Sequence, residues 1–252
     1  MALEPEDSVT FNSFKYEWLG QSTVRITSPK GFVVYTDPVF LDANPAPAGL
    51  ILVSHHHVDH CLPEFITPIK KPETKVAAFH ASYIKYCVQD IKGVRTVKIG
   101  ETVRFGDIEV TGVEAYTKRG FHSKGEGCGF LIGIEGQRIY FGGDTARIPE
   151  MEGLKGVDVA ILPICDNTYD IDAEEMAAAV KEMGPGLFIP VHFTPMDEPE
   201  PEIKAGMFFS KDPRFFTRKD DPARLPPFFE GTGIKVAVLR KQGSSDYVSL
   251  SF

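Results

Sequence analysis

The chain is short of cysteine, of basic charge and of long apolar runs, and each shortage closes off a class of protein. Its 252 residues hold four cysteines, Cys61, Cys87, Cys128 and Cys165, set far apart with no Cys-x-x-Cys pair. That pattern predicts reduced, mostly buried thiols in a cytoplasmic protein rather than a disulfide framework. Lys and Arg number 27 against 35 Asp and Glu, for a formal net charge of −8. General nucleic-acid binding usually leaves a basic footprint, so this balance argues against a nucleic-acid partner. No uninterrupted apolar stretch approaches the roughly 18 residues of a membrane span. The segment Met1 to Asp7 is acidic and lacks the basic region and apolar run of a signal peptide. The length suits one large α/β domain over 1–252, so no division into two is required.

Histidine is scarce as well, at seven in the chain, yet three of the seven are consecutive and a fourth follows two residues later. The stretch Ser54-His55-His56-His57-Val58-Asp59-His60 contains His-x-His-x-Asp-His through His55, His57, Asp59 and His60. Imidazole and carboxylate are the usual protein ligands for zinc and similar divalent ions. The apolar run Gly49 to Val53 directly before it reads as a buried strand emptying into a ligand loop.

The first third reads as β structure, with strands over Phe14 to Leu19, Thr23 to Thr27 and Phe32 to Thr36. Leu62 to Ile69 and His80 to Val88 are helical or irregular. Strands resume at Val103 to Phe105 and Ile108 to Ala115, followed by a hairpin of Gly129 to Ile134 with Arg138 to Phe141 across Glu135-Gly136. Val157 to Pro163 and Leu187 to Val191 are short buried strands. Between them Asp172 is a good N-cap, with Glu175 three residues on, Met176, Val180 and Met183 on one face, and Gly184 placed to end the helix. Strand, ligand loop and helix thus recur in both halves. The segment 195–230 differs: it is rich in proline and charge and carries Phe208-Phe209, Phe215-Phe216 and Phe228-Phe229. It reads as an irregular stretch whose phenylalanines complete the core, with a lid, an oligomer contact or a pocket wall as the alternatives.

Three further residues repeat the strand-then-ligand arrangement: His122 in a glycine-rich loop, Asp144 after the strand ending at Phe141, and His192 after Ile189-Pro190-Val191. Loops leaving the carboxyl ends of strands are where ligands collect in α/β sheets. With the opening motif they supply His55, His57, Asp59, His60, His122, Asp144 and His192, enough for two metal ions with a carboxylate left to bridge them. On these residues the chain resembles the metallo-β-lactamase superfamily. It is similar in particular to a branch of metal-dependent hydrolases that includes the bacterial ascorbate-6-phosphate lactonase. Trp18-Leu19-Gly20, Thr36-Asp37-Pro38, His122-Ser123-Lys124-Gly125, Arg138 through Thr145 and Ile189 through His192 carry the likeness, which spans roughly residues 14 to 194.

The resemblance implies a four-layer αββα sandwich with two divalent ions at one edge, zinc first, with manganese, iron or nickel also suited. His55, His57 and His122 would bind one ion; Asp59, His60 and His192 the other; Asp144 would bridge. Asp37 would hold the ligand loop by hydrogen bonds, and His56 and His80 would be structural. Gln21 departs from the His that many relatives carry after Trp-Leu-Gly, which predicts the loss of one polar group near the pocket. Asp166-Asn167-Thr168-Tyr169 replaces a commonly glycine-rich stretch.

The implied activity is hydrolysis of a small ester, lactone or phosphodiester by a metal-bound hydroxide, because two such ions ~3.5–4 Å apart acidify a shared water. Asp59 would double as proton acceptor. Lys124, ahead of Lys118 and Arg119, would hold an anionic group of a small-molecule substrate. The competing reading is an iron-dependent oxidoreductase on the same fold, persulfide dioxygenase-like; a nuclease comes behind it. No membrane partner is expected, and homo-oligomer formation is left open.

Overall fold

A computed structural model of the chain describes residues 5–57, 59–80, 91, 93–118, 122–165, 171–193 and 221–243. One seven-stranded sheet runs in sequence order: β1 (Val9–Phe11), β2 (Phe14–Gly20), β3 (Thr23–Thr27), β4 (Val33–Thr36), β5 (Leu50–Val53), β6 (Lys75–Phe79) and β7 (Val94–Val97). A second holds β8 (Thr102–Phe105), β9 (Ile108–Ala115), β10 (Gly127–Ile134), β11 (Gln137–Phe141), β12 (Val159–Pro163), β13 (Leu187–Val191) and β14 (Lys235–Val236). Each sheet starts as an antiparallel meander and turns parallel after its fourth strand. A helix follows the fifth strand in both, α1 (Pro63–Ile69) after β5 and α2 (Ala173–Met183) after β12. The recurrence read in the sequence is therefore a repeat of topology, and the fold is an αββα sandwich.

Local chemistry accounts for this division. Three of the meander turns are two-residue loops in which Asn12-Ser13 and Glu135-Gly136 have positive φ at both positions, and Gly106-Asp107 has it at Gly106. Turns with such angles match the twist of antiparallel strands. In β9 the buried residues largely alternate with more exposed ones, as a one-sided strand requires. In contrast β5, β12 and β13 are buried at every position, because parallel strands are covered on both faces. Each fully buried Leu, Ile or Val side chain there contributes about 1.5–3 kcal/mol. Pro190 is tolerated within β13 because β14 pairs only with Leu187 and Phe188, so the missing N–H falls beyond that ladder.

Tyr16 and Trp18 on one sheet and Phe130 and Phe141 on the other are buried in the core, and Tyr35 and Tyr140 are buried on the opposite faces of their strands. Hydrogen bonds tie the sheets at two places away from the site: Gln137 Nε2 donates to Tyr16 OH at 3.2 Å, and Ser28 Oγ donates to Glu135 at 2.7 Å. Asp172 caps α2 by accepting from the amides of Glu174 and Glu175, and Gly184 ends it at φ 65°. Glu175 itself reaches Lys118 at 3.3 Å.

Of the proline- and phenylalanine-rich segment, 194–220 lies outside the described residues, as do 81–90, Cys87, Arg119 and Asp166 through Tyr169. Within the described end, Pro226–Phe229 forms a short helix, α3, and Phe229 packs on Phe188 with ring centroids 5.7 Å apart. Cys61, Cys128 and Cys165 are buried. Among the described residues no helix is long and apolar enough to cross a membrane.

Candidate metal centre

The ends of four strands, two from each sheet, meet at one edge of the sandwich, and each delivers a polar residue there. Asp37 follows β4, the His55 to His60 loop follows β5, Asp144 follows β11, and His192 follows β13. His122 joins them from the loop before β10, whose ends are closed by Thr117 N donating to His122 O and His122 N donating to Thr117 Oγ1. Gly143 lets the Asp144 loop pass beside the His55 loop. It sits at φ 61°, and a Cβ there would lie 2.9 Å from Ser54 Cβ. That close approach makes one site of two distant stretches of sequence.

The seven residues form two adjoining clusters. His55, His57, His122 and Asp144 bring ligand atoms within 4.8 Å of one another, and so do Asp59, His60 and His192. Asp144 divides its carboxylate between them. Its Oδ2 lies 3.4 Å from His122 Nε2 and 3.8 Å from His55 Nε2, while its Oδ1 lies 3.2 Å from His60 Nε2 and 3.1 Å from His192 Nε2. Asp144 Oδ1 is buried and accepts no hydrogen bond of good geometry. His55 Nε2 faces His57 Nδ1 at 3.2 Å, and His60 Nε2 faces His192 Nε2 at 3.3 Å. Acceptor-bearing nitrogens and oxygens aimed at common points, rather than at each other's protons, are what a cation requires. The donor set therefore fits divalent metal.

Asp37 organises both clusters from behind, and it is itself fully buried. Its Oδ2 accepts from His60 Nδ1 at 2.8 Å and from Ser54 Oγ at 2.5 Å, and its Oδ1 accepts from Ser54 N at 2.7 Å. Ser54 Oγ stands 2.9 Å from His55 Nδ1. With the serine proton given to Asp37, His55 Nδ1–H donates to Ser54, and both His55 and His60 direct Nε2 toward the centre. Ser54 was not among the residues singled out in the sequence; its only signal is its place between an apolar strand and the His run.

Gln21 corrects the expectation drawn from its departure. No polar group is lost there: the side chain is 6% exposed, and Nε2 donates to Asp59 Oδ2 at 2.8 Å. Its carbonyl accepts from Trp18 Nε1 at 2.8 Å and from His192 N at 2.9 Å. Gln21, Asp37 and His192 all have positive φ, at 52°, 35° and 65°. Such backbone strain in non-glycine residues gathers at functional sites.

Electrostatics separates the clusters. Burial, helped by the charges of His60 and His122, pushes His55 well below the ordinary imidazole range. Burial and the charge of His122 take His57 down to about 4. Burial opposes charge on His60 too, but Asp144, Asp59 and Asp37 outweigh it and hold His60 well above its ordinary value. Burial would raise Asp144, yet His192 and His60 overcome it, and the carboxyl stays well below its ordinary value.

The remaining candidates lie outside these clusters. His56 is half-buried beside His57, and His80 is exposed; neither belongs to a group of potential ligands among the described residues. Lys124 is 62% exposed at its side chain and pairs with Glu150, with Glu114 3.7 Å away. Tyr116 donates to the other oxygen of Glu150 at 3.1 Å.

The comparisons agree with this geometry. The family model described as the beta-lactamase superfamily domain matches residues 15–192. A UPF0173 metal-dependent hydrolase of Pyrococcus furiosus is 33% identical over 71% of this chain and 84% of its own length. One of Symbiobacterium thermophilum is 35% identical over 70% and 82%. Among solved structures, a Parabacteroides distasonis protein superposes with a TM-score of 0.69 at 22% identity, covering 93% of this chain and 98% of its own. Igni18, a metallo hydrolase of Ignicoccus hospitalis, gives 0.67 at 20%, covering 92% and 96%. The family match over most of the two sheets, joined to a buried His and Asp centre at their common edge, places this chain in the metallo-β-lactamase superfamily, among relatives named metal-dependent hydrolases.

Proposed function

We propose that the chain is a metal-dependent hydrolase that cleaves a small ester, lactone or phosphodiester with water activated at a dinuclear centre. The observation that carries this reading is the division of the Asp144 carboxylate, one oxygen toward each cluster. In it His55, His57 and His122 would hold one ion and Asp59, His60 and His192 the other, with Asp144 available to both. Divalent ions there, zinc by donor type with manganese, iron or nickel also suited, would supply acidification of bound water and polarisation of the scissile carbonyl or phosphoryl oxygen.

The chain's own groups do the rest. Asp37 and Ser54 fix the imidazole tautomers, and the Asp59 carboxylate takes the proton released as water attacks. Lys124 faces an anionic substituent only by exchanging Glu150 for it. The acidic balance supports a small-molecule substrate over a nucleic-acid partner.

Turnover of p-nitrophenyl esters and bis-p-nitrophenyl phosphate by Asp59→Ala tests the mechanism. Lost turnover with an unchanged circular dichroism spectrum is expected, and full activity would sink it. Metal analysis of protein purified without added metal tests the centre. Two divalent ions per chain are expected, whereas one iron with oxygen uptake on a persulfide would install the oxidoreductase reading instead.

A further inference from the structure

We propose that Gln21 is a positioning residue, its side-chain amide holding Asp59 so that the carboxylate faces His60 and His192. The inference rests on the dinuclear reading of the site and deepens it. Asp59 is reached from a loop, and its side chain is the least buried of the three in its cluster. Asp59 Oδ2 stands 3.7 Å from His60 Nε2 and 3.9 Å from His192 Nε2, and that same oxygen accepts from Gln21 Nε2 at 2.8 Å. One oxygen is thus both turned toward the ligand cluster and held from the β2–β3 turn of the same sheet.

Gln21 can do this because its own position is overdetermined. The register of β2 on β3 shifts between Trp18 and Gly20, which bends the strand just before it. Its left-handed backbone then offers one carbonyl to two donors, the Trp18 indole and the His192 amide. Trp18 in turn stacks on Phe193, with centroids 4.5 Å apart. The residue that steers Asp59 is therefore anchored to the strand end that delivers His192. Two members of one cluster, far apart in sequence, share a support.

The experiment is stepwise zinc titration of the metal-free protein against a chromophoric chelator, with ester kinetics beside it. Gln21→Met keeps the volume and removes the donor. Its first zinc equivalent should bind as in the unaltered protein, its second should weaken on the order of 10–100-fold, and kcat should fall with KM nearly constant. Gln21→His restores an N–H and should recover most of both losses. Wild-type affinity for both equivalents in Gln21→Met, or no recovery in Gln21→His, overturns the proposal. If Gln21→Met does not fold, Gln21→Glu replaces it: the isosteric acceptor facing Asp59 should weaken the second equivalent, and an unweakened one overturns the proposal. A protein that binds zinc but cleaves no ester refutes the hydrolase reading, while the titration still decides the role of Gln21.

Discussion

His60 Nδ1 donates to Asp37 Oδ2 across 2.8 Å, and both side chains are wholly shielded from water. The pair joins the end of β4 to the end of the ligand loop and decides which nitrogen of His60 meets the centre. Asp37→Asn keeps an acceptor and tolerates the positive φ at this position, but it removes the charge. Zinc affinity should fall on the order of 10–100-fold while the protein stays folded. Calorimetric titration measures this, and an unaltered affinity would reduce the pair to a packing role.

Proton competition should differ between the clusters. Burial and His122 hold His57 at about 4, so it is neutral at pH 7 and needs to lose nothing before binding metal. His60, raised by Asp144, Asp59 and Asp37 against the effect of burial, carries a proton that metal must displace. Affinity of the Asp59, His60 and His192 cluster should therefore rise with pH above the ordinary imidazole value of about 6.5, with proton release. His55 and His57, both lowered, should compete with protons far less in the same range. Zinc titrations in buffers of different ionisation enthalpy would read both effects; two equivalents with the same pH dependence would refute the assignment.

Lys124 gives a test of substrate charge. Because it is held by Glu150 at the surface, Lys124→Ala should leave kcat and KM for a neutral ester unaltered. For an ester carrying a phosphate group, KM should rise several-fold. Equal behaviour on the two esters would leave Lys124 a partner of Glu150 alone.

The cap of α2 makes a prediction about stability. Asp172 accepts from two amides at the start of that helix, so Asp172→Ala should cost about 1 kcal/mol in urea unfolding. A loss near zero would mean that packing of Met176, Val180 and Met183 holds the helix start without it.

Much of this molecule is legible in order along the chain. Gly184 and Asp172 bound a helix because a left-handed stop and an amide acceptor are local needs that a sequence displays. The run Leu50 to Val53 reads as a covered strand because burial on both faces leaves no place for a polar residue. Strands such as Lys75–Phe79 and Val94–Val97 were not legible. They are short, and their partners in the sheet are set by neighbours that sequence does not put beside them.

The site divides along the same line. The sequence by itself determined the ligand chemistry and the rule that places it: His55, His57, Asp59, His60, His122, Asp144 and His192 are imidazoles and carboxylates beyond strand ends or in the loop before β10. What only the tertiary structure decided is direction. It turned one oxygen of Asp144 toward each cluster, and it set Ser54 between Asp37 and His55. It also put the amide of Gln21 on Asp59 and closed Glu150 over Lys124. Residue type fixes which atoms can give or accept a proton or a metal. Which of those atoms meet depends on backbone angles and approaches of under 4 Å between strands far apart in sequence, and those exist only once the two sheets have packed.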